Sequence, residues 1–314
     1  MKQRVLQLGI YACICLVLGY GYIKANTNSI SKEVSVIDYN DYKQIVYLDK
    51  DGLLIPVSYE ISGFPTLQSE VKELFNLMQD AGSLKDELSP IVSKDTKLES
   101  VILEEDILQL HFKELHTNEE LRFLEALTFT FCQLDGVNGI ELFLNNEKLN
   151  QLPQGDILFN EPLTKALGIN NFELGSERLY DTDSLVVYYA KTINKEEFYV
   201  PMTKRISSQS NLDDQLNSIV SEVSVSSTLS QASLLEGIQI LEGSYLNEGH
   251  LYVNMNDAIL LDETSINQDI YDLLLLSLSE IDEVSEVTLL VDGAPLETRP
   301  TIQVSQIAYN ILKL

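Results

Sequence analysis

The sequence predicts an α+β protein made of two tandem repeats, each ordered strand, strand, helix, strand, strand, helix, strand, with helices packed on one face of a mostly antiparallel sheet. Three observations predict this. Residues 134–146 recur at 281–293 with apolar positions matching apolar positions, which indicates a long-period repeat. Both copies open with two β-rich runs, and both later contain a strand with alternating apolar residues. The chain, with 314 residues of which 45% are hydrophobic, is long enough for two cores.

A membrane anchor is predicted at the N-terminus, in residues 1–25. Lys2 and Arg4 precede the apolar stretch 5–22, whose length just spans a hydrocarbon core of about 30 Å. The preceding positive charges favour a cytoplasmic start. A cleaved signal segment and a lipid attached to Cys13 are the alternatives. All three place the rest of the chain outside the cytoplasm.

Each copy then begins with a hairpin pattern. The β-rich runs, two in each copy, are 45–48, 53–59, 185–189 and 198–202. The first pair flanks a loop that ends in Asp51-Gly52, a strong turn signal. Pro56 and Pro201 occupy matching places, and because proline cannot donate to a ladder, each second strand is expected at an edge or a bulge.

A helix and a strand pair follow each hairpin. Helical spacing of apolar residues predicts the first helix over Leu67 to Met78, capped by Thr66, and the matching helix after a cap at Asn211. The predicted strand pairs are 98–103 with 107–112, and 238–241 with 250–255. Within them, Leu108, Leu110 and Phe112 match Leu251, Val253 and Met255, so one face of that strand is expected to be buried.

The second helix of each copy is predicted over residues 118–134 and 265–281. Thr117, with Glu120 three places on, fits a capping box. The run 271–278 is apolar almost all round, which implies contact on two sides. Either a neighbouring molecule or the sheet and the first repeat would provide the second contact.

A tight turn is predicted at the end of each unit. Asp292-Gly293 forms it in the second copy, and Asn145-Asn146 replaces that pair in the first, where asparagine can make the same turn. The predicted boundaries after the anchor are 26–42 for a polar linker, 43–153 for the first repeat, 154–183 for an inter-repeat linker with a short helix, 184–303 for the second repeat, and 304–314 for a C-terminal helical tail.

Charge and composition exclude some functions. The chain carries 21 Lys and Arg against 48 Asp and Glu, a net charge of −27, so it is a poor ligand for nucleic acid. The three histidines, His111, His116 and His250, match neither a zinc pattern nor a catalytic triad. Cys132 is expected to be a small core residue. The expectation is a protein that is not an enzyme and that carries no cofactor or metal.

Tyrosines cluster around the two hairpins and form the candidate interface. They are Tyr47, Tyr59, Tyr188, Tyr189 and Tyr199. Tyrosine is enriched at protein interfaces, but it is also favoured in strands, and both interpretations stay open. If the hairpin is exposed, it is the obvious docking site.

The order of hairpin with a Val-Pro pair, helix, alternating strand, helix and closing motif resembles the GerM domain family. The most specific part is the stretch from Val287 to Gly293, and the resemblance covers most of the chain. It implies tandem domains behind a membrane or lipid anchor, outside the cytoplasm, in endospore formation and germination. It further implies a non-catalytic assembly factor or ring-like component of a channel between mother cell and forespore.

The implied partners are other sporulation membrane or channel proteins, further copies of the chain and, through the N-terminal segment, the membrane, but not nucleic acid. Two alternatives remain at this stage. One is a wall- or cortex-associated binding module that holds peptidoglycan or a wall hydrolase. The other is a hydrolase that uses acids such as Glu104 or Asp106.

Overall fold

The structure is a computed structural model that describes residues 30–31, 35–36, 42–61, 63–84, 86–117, 119–159, 161–171, 182–226, 237–261, 265–296 and 301–312. Within these residues, helices α1 to α4 are Leu67–Met78, Glu120–Phe131, Leu212–Ser226 and Gln268–Leu278. Strands β1 to β19 are Ile30–Ser31, Ser35–Val36, Tyr42–Leu48, Leu54–Glu60, Ser89–Pro90, Lys97–Glu104, Ile107–Glu114, Gly139–Leu144, Glu147–Lys148, Leu163–Thr164, Thr182–Ile193, Glu196–Ser207, Tyr245–Asn247, His250–Met255, Glu286–Val291, Ala294–Pro295, Ile302–Gln303, Ile307–Ala308 and Ile311–Leu312.

The α+β class and the tandem repeat are confirmed, and each repeat contains two separate sheets. In the first repeat, β3 and β4 form an antiparallel hairpin, while β6, β7 and β8 belong to another sheet. In the second, β11 and β12 form the hairpin, and β13, β14 and β15 belong to the other sheet. The last pair in each is parallel, β7 with β8 and β14 with β15, because a helix carries the chain back across the sheet between them.

The helices join the two sheets of each repeat through an apolar core. Helix α1 contacts β3 and β6, and α2 contacts β3 and β8. The predicted alternation is confirmed, since the inward residues of β7 and of β14 are buried, namely Leu108, Leu110, Phe112, Leu251, Val253 and Met255. The first core also takes in Ile193, Phe198 and Val200 from the second hairpin. The two cores therefore meet across the repeats.

The apolar run in α4 offers no free surface. Every residue from Ile270 to Leu278 is buried, and the helix contacts α3 and β11 within its own repeat. Contact on two sides is thus satisfied inside the second repeat. The alternative of a neighbouring molecule on this helix is wrong.

Two of the three predicted helix caps agree with the structure and one does not. Thr66 accepts from the Ser69 amide in a capping box, and Asn211 Oδ1 accepts from the Asp214 amide at 2.9 Å. Thr117 does not cap α2, which begins at Glu120 without a side-chain cap. The Glu120 carboxylate instead accepts from backbone amides of the inter-repeat linker, 2.7 Å from Asp156 and 3.1 Å from Ile157. A long-range contact has displaced the local capping box.

Two other predicted elements are wrong. The strand expected at 238–241 has only an isolated bridge between Ile240 and Met255, because Gly243, with φ 94°, turns the chain before the strand forms at β13. In the predicted helical tail 304–314, the described residues 304–312 are helical only in the single 3₁₀ turn Val304–Gln306. It continues as β18 and β19, and β19 pairs in parallel with β4 of the first repeat. Strand partners in the other repeat decide its conformation.

The short linker helix and the closing turns agree better with the sequence. A 3₁₀ turn over Lys165–Leu167 ends at Gly168, whose φ is 81°. Asp292 and Gly293 have φ values of 49° and 82°, and Asn145 and Asn146 have 51° and 67°. Two successive residues with positive φ define a type I′ hairpin turn. Both copies therefore make the predicted turn with different residues.

Candidate interaction surfaces

The hairpin tyrosines do not form an exposed interface. Tyr47, Tyr188 and Tyr199 are fully buried, and Tyr59 and Tyr189 are half-buried. The interface prediction is wrong for the three buried rings. They lie in the middle of hairpins that are buried on both faces, since the neighbouring residues Val46, Val187 and Val200 are buried as well, and large aromatic rings add to such a core.

Each tyrosine hydroxyl in this set has a hydrogen-bond partner. The Tyr47 and Tyr59 hydroxyls lie 2.8 Å apart, and Tyr189 donates to Glu222 at 2.8 Å. Tyr188 donates to Glu280 at 2.8 Å, and Tyr199 donates to Asp272 at 3.0 Å. Burial raises the pKa of all five phenols. They remain neutral and serve as structural donors or acceptors.

A buried seam joins the two repeats, and Asn170 of the linker lies in it. Its side-chain oxygen accepts from the Leu54 amide at 2.7 Å, and its side-chain nitrogen donates to the Leu54 carbonyl at 2.8 Å. The same nitrogen donates to the Pro201 carbonyl at 2.8 Å. One asparagine therefore connects β4 of the first repeat to β12 of the second.

Asn310 in the C-terminal tail makes the reciprocal set of bonds. It accepts from the Tyr199 amide at 2.9 Å, donates to the Tyr199 carbonyl at 2.8 Å, and donates to the Pro56 carbonyl at 2.7 Å. Tyr199 and Pro201 are the counterparts of Leu54 and Pro56 when the two prolines are aligned. The seam thus has approximate two-fold symmetry.

The segment after each repeat lies on the hairpin of the other repeat. The Thr203 amide donates to the Ile169 carbonyl at 2.9 Å, and the Ser58 amide donates to the Asn310 carbonyl at 3.1 Å. The linker also reaches into the first core, because buried Glu125 accepts from the backbone amides of Asn170 at 3.2 Å and Asn171 at 2.9 Å. Burial raises the pKa of Glu125, although the Arg122 guanidinium and these amides oppose the shift.

An ion pair adds to the seam at the hairpin loops. Lys191 of β11 lies 2.5 Å from Asp49 and 2.9 Å from Asp51. Asp49 is buried, and its other oxygen accepts from the Asp51 and Leu53 amides. The loop that the sequence identified as a turn is therefore also a contact with the second repeat.

A second surface lies on the outer face of the β13–β14–β15 sheet. The rings of Tyr245 and Tyr252 stack at 4.6 Å, and those of Tyr252 and His250 stack at 3.9 Å. His250 Nδ1 lies 3.4 Å from a Glu286 carboxylate oxygen, and its Nε2 lies 2.7 Å from the Thr288 hydroxyl. We call Tyr245, His250, Tyr252 and Glu286 the aromatic face.

Sequence reasoning missed both surfaces. The strand predicted at 238–241 ends before Tyr245, which leaves this ring in a loop. The alternation of His250 and Tyr252 with buried Leu251 and Val253 was the available signal for a shared outer face. No local pattern marked Asn170 or Asn310, because their partners are distant in sequence.

The remaining predicted positions are plainly placed. Cys132 is buried, and burial raises the pKa of its thiol to about 11, which agrees with a core residue. His111 stacks on Phe143 at 4.4 Å.

Cys13 and the anchor 1–25 lie outside the described residues. Within the described ranges there is no group of three or more acidic, histidine or cysteine side chains placed to hold a metal ion. No described helix is long and apolar enough to span a bilayer.

The fold and the seam define a tandem α+β protein whose two repeats pack as reciprocal halves. A family model described as "Germane: Sporulation and spore germination" matches residues 44–150 and 186–297, and the chain belongs to this family. This confirms the resemblance found in the sequence.

One curated protein and one solved structure extend the comparison. The chain is 23% identical over 267 residues to "Spore germination protein GerM" of Bacillus subtilis (strain 168), covering 80% of this chain and 71% of that protein. The solved structure of the tandem GerMN domains of the sporulation protein GerM from Bacillus subtilis superposes with a TM-score of 0.72. It is 19% identical, and the match covers 87% of this chain and 99% of that one. The structural likeness establishes the fold.

Proposed function

We propose that this chain is a non-catalytic, membrane-anchored scaffold outside the cytoplasm that helps to assemble a channel complex between mother cell and forespore. Membership of a sporulation and germination family supports the biological setting. The predicted N-terminal anchor supports the placement at a membrane. The rest of the chain would not bind there through its charge, since anionic lipid repels a chain of net charge −27.

The observation that carries the proposal is that buried polar side chains join the two repeats. Asn170 and Asn310 direct their amides into backbone bonds between the repeats, and Lys191 connects the hairpin loops. A satisfied buried network holds a single arrangement of its elements. A scaffold needs such a fixed arrangement, since the surfaces that it presents must keep their separation and direction.

The test is crosslinking of the full chain in membranes of sporulating cells, followed by identification of the attached proteins. We expect integral membrane proteins of the septum or channel. The amount recovered per folded molecule should fall when the seam is broken by Asn170→Ala with Asn310→Ala. Asn146→Ala, at an exposed turn with positive φ, is the matched control.

Two results would contradict the proposal. Recovery of wall hydrolases or wall material without any membrane protein would favour a wall-binding module instead. Turnover of peptidoglycan by the purified chain, abolished by Glu104→Gln or Asp106→Asn, would contradict a non-catalytic role.

A further inference from the structure

The stack of Tyr245, Tyr252 and His250 has no counterpart at the same positions of the first repeat, where the outer face carries the His111–Phe143 stack instead. Tyr245 and Tyr252 are register partners on β13 and β14, and the corresponding partners on β6 and β7 are Ile102 and Gln109. Tyr245 is 47% exposed and Ile102 is 46% exposed. The two positions thus have the same place in the fold and the same exposure, but only one carries an aromatic ring in a stack.

The stacked rings are held in place before any partner binds. Thr288, buried beneath the face, lies 2.7 Å from His250 Nε2 and 2.7 Å from the Thr301 hydroxyl. Tyr252 is fixed between two other rings. Rigid aromatic side chains lose little conformational entropy on binding, which favours them as contact residues. The aromatic face is therefore preorganised as an interaction surface.

The segment of the chain that contains β13 to β15 is acidic. Between Arg205 and Arg299 the sequence has neither lysine nor arginine, whereas aspartate and glutamate are spread through the whole stretch. Glu242 and Glu248 flank β13 and are exposed. Such a field attracts positively charged partners and repels a second copy of this chain.

The outward carboxylates of the two repeats differ in their ion-pair partners. On the matching strand β8, Glu141 has a lysine partner, with Lys148 Nζ at 2.5 Å. On β15, the ion-pair partner of Glu286 among the described residues is His250, which is charged only when protonated. Glu141 corresponds to Thr288 and not to Glu286, but its ion pair with Lys148 shows that an outward carboxylate of this sheet accepts a basic partner. A cation supplied by another molecule would pair with Glu286 in the same way.

We propose that the aromatic face docks a basic segment of a partner protein, with one arginine stacked on the outer ring face of Tyr245 and a second basic side chain paired with Glu286. Arginine combines a planar cation that stacks on aromatic rings with donors that match a carboxylate. The inference rests on the proposed function and names the chemistry of one partner of the scaffold. A sugar chain, which also packs on aromatic rings, is the competing occupant.

The test is binding of a fluorescein-labelled peptide of alternating glycine and arginine to the full chain in detergent, measured by anisotropy at physiological salt. We expect Tyr245→Ala and Glu286→Gln each to weaken binding by about threefold to tenfold, within the range of cation–π contacts. Tyr245→Phe keeps the ring and should bind as the unaltered chain does. Ile102→Ala and Glu147→Gln, at exposed sites of the first repeat, should change nothing.

Three outcomes would overturn the inference. The first is arginine-peptide binding that neither Tyr245→Ala nor Glu286→Gln weakens, since general charge attraction would then suffice. The second is equal affinity for the matching glycine–lysine peptide. The third is binding of chitohexaose that Tyr245→Ala abolishes while arginine-peptide binding survives, which would assign the face to a glycan.

The peptide assay and the cellular crosslinking separate the two proposals. Failure of the peptide assay with channel proteins still recovered would remove this inference and leave the scaffold standing. Tyrosine-dependent peptide binding with no membrane protein recovered from cells would remove the channel role and leave a surface for basic segments.

Discussion

Asn170 and Asn310 are structural counterparts at the seam between the repeats. Each is fully buried, each has a φ of 50°, and each binds both backbone groups of one residue while donating to a proline carbonyl of the other repeat. Strands β4 and β12 belong to different sheets, so these side-chain amides connect backbones that no ladder joins. The two asparagines thus hold the repeats in one arrangement.

Asn310→Ala should lower the free energy of unfolding by about 3 kcal/mol or more, because it leaves buried backbone groups of Tyr199 and Pro56 without partners, at about 1–3 kcal/mol per group. Urea unfolding followed by circular dichroism measures this. Asn146→Ala also places alanine at positive φ but at an exposed turn, so it should cost only the backbone strain of about 1–2 kcal/mol. Equal losses in the two variants would mean that the seam contributes nothing.

The unaltered protein should unfold in one calorimetric transition, since its two cores meet and the seam is buried. The double variant Asn170→Ala with Asn310→Ala should broaden or split that transition, because the repeats then unfold more independently. Differential scanning calorimetry checks this by comparing the calorimetric and van't Hoff enthalpies. A double variant that still unfolds in a single two-state transition would show that apolar contacts alone couple the repeats.

Lys191→Met should destabilise the protein by about 1–3 kcal/mol at neutral pH, a value reduced from that of a fully buried pair because the lysine is partly exposed. It leaves the buried Asp49 carboxylate without its ion-pair partner. Urea unfolding at low salt is the measurement. Lys195→Met, an exposed lysine in the turn of the same hairpin, is the control and should be neutral.

The contribution of the Lys191–Asp51 ion pair to the stability of the protein depends on pH. The hydrogen bond and charge of Lys191 hold the pKa of Asp51 below its ordinary value of 3.8. A carboxyl group whose pKa is lower in the folded than in the unfolded state stabilises the folded protein at pH values above its unfolded-state pKa. That stabilisation is lost as the pH falls through the folded-state pKa. The difference between the unaltered chain and Lys191→Met should therefore shrink below about pH 4. A difference that stays constant down to pH 2 would contradict the pairing.

The closing turns allow a reciprocal exchange. Gly293→Ala should cost about 1 kcal/mol, because Gly293 has a φ of 82° and no atom lies within 4 Å of an added Cβ, so backbone strain is the whole effect. Asn146→Gly should be neutral or stabilise by up to about 1 kcal/mol, since glycine adopts the same φ without strain. Thermal unfolding of both variants tests this, and a stabilising Gly293→Ala would refute the turn assignment.

Much of the fold follows from local pattern. The hairpins, the helix Leu67–Met78 and the alternation of Leu108, Leu110 and Phe112 agree with the structure, because each depends on neighbours within a few residues. The caps at Thr66 and Asn211 agree for the same reason. Thr117 does not, since a contact between Glu120 and the distant linker displaced the expected box.

The candidate site was less accessible to sequence reasoning. Tyr47, Tyr188 and Tyr199 looked like an interface, but composition alone does not tell which face of a hairpin is covered. Tyr245 became part of a stacked surface only because Gly243 delays the strand that carries it. The physical reason is that exposure is set by packing and not by residue type.

The sequence by itself determined the α+β class, the duplication, the two turns and the acidic character, because these follow from periodicity, turn chemistry and charge. Only the tertiary structure decided that the tail becomes a strand, that the hairpin tyrosines are buried, and that Asn170 and Asn310 join the repeats. Those features depend on hydrogen bonds and burial between residues far apart in the chain, for which no local pattern carries a signal.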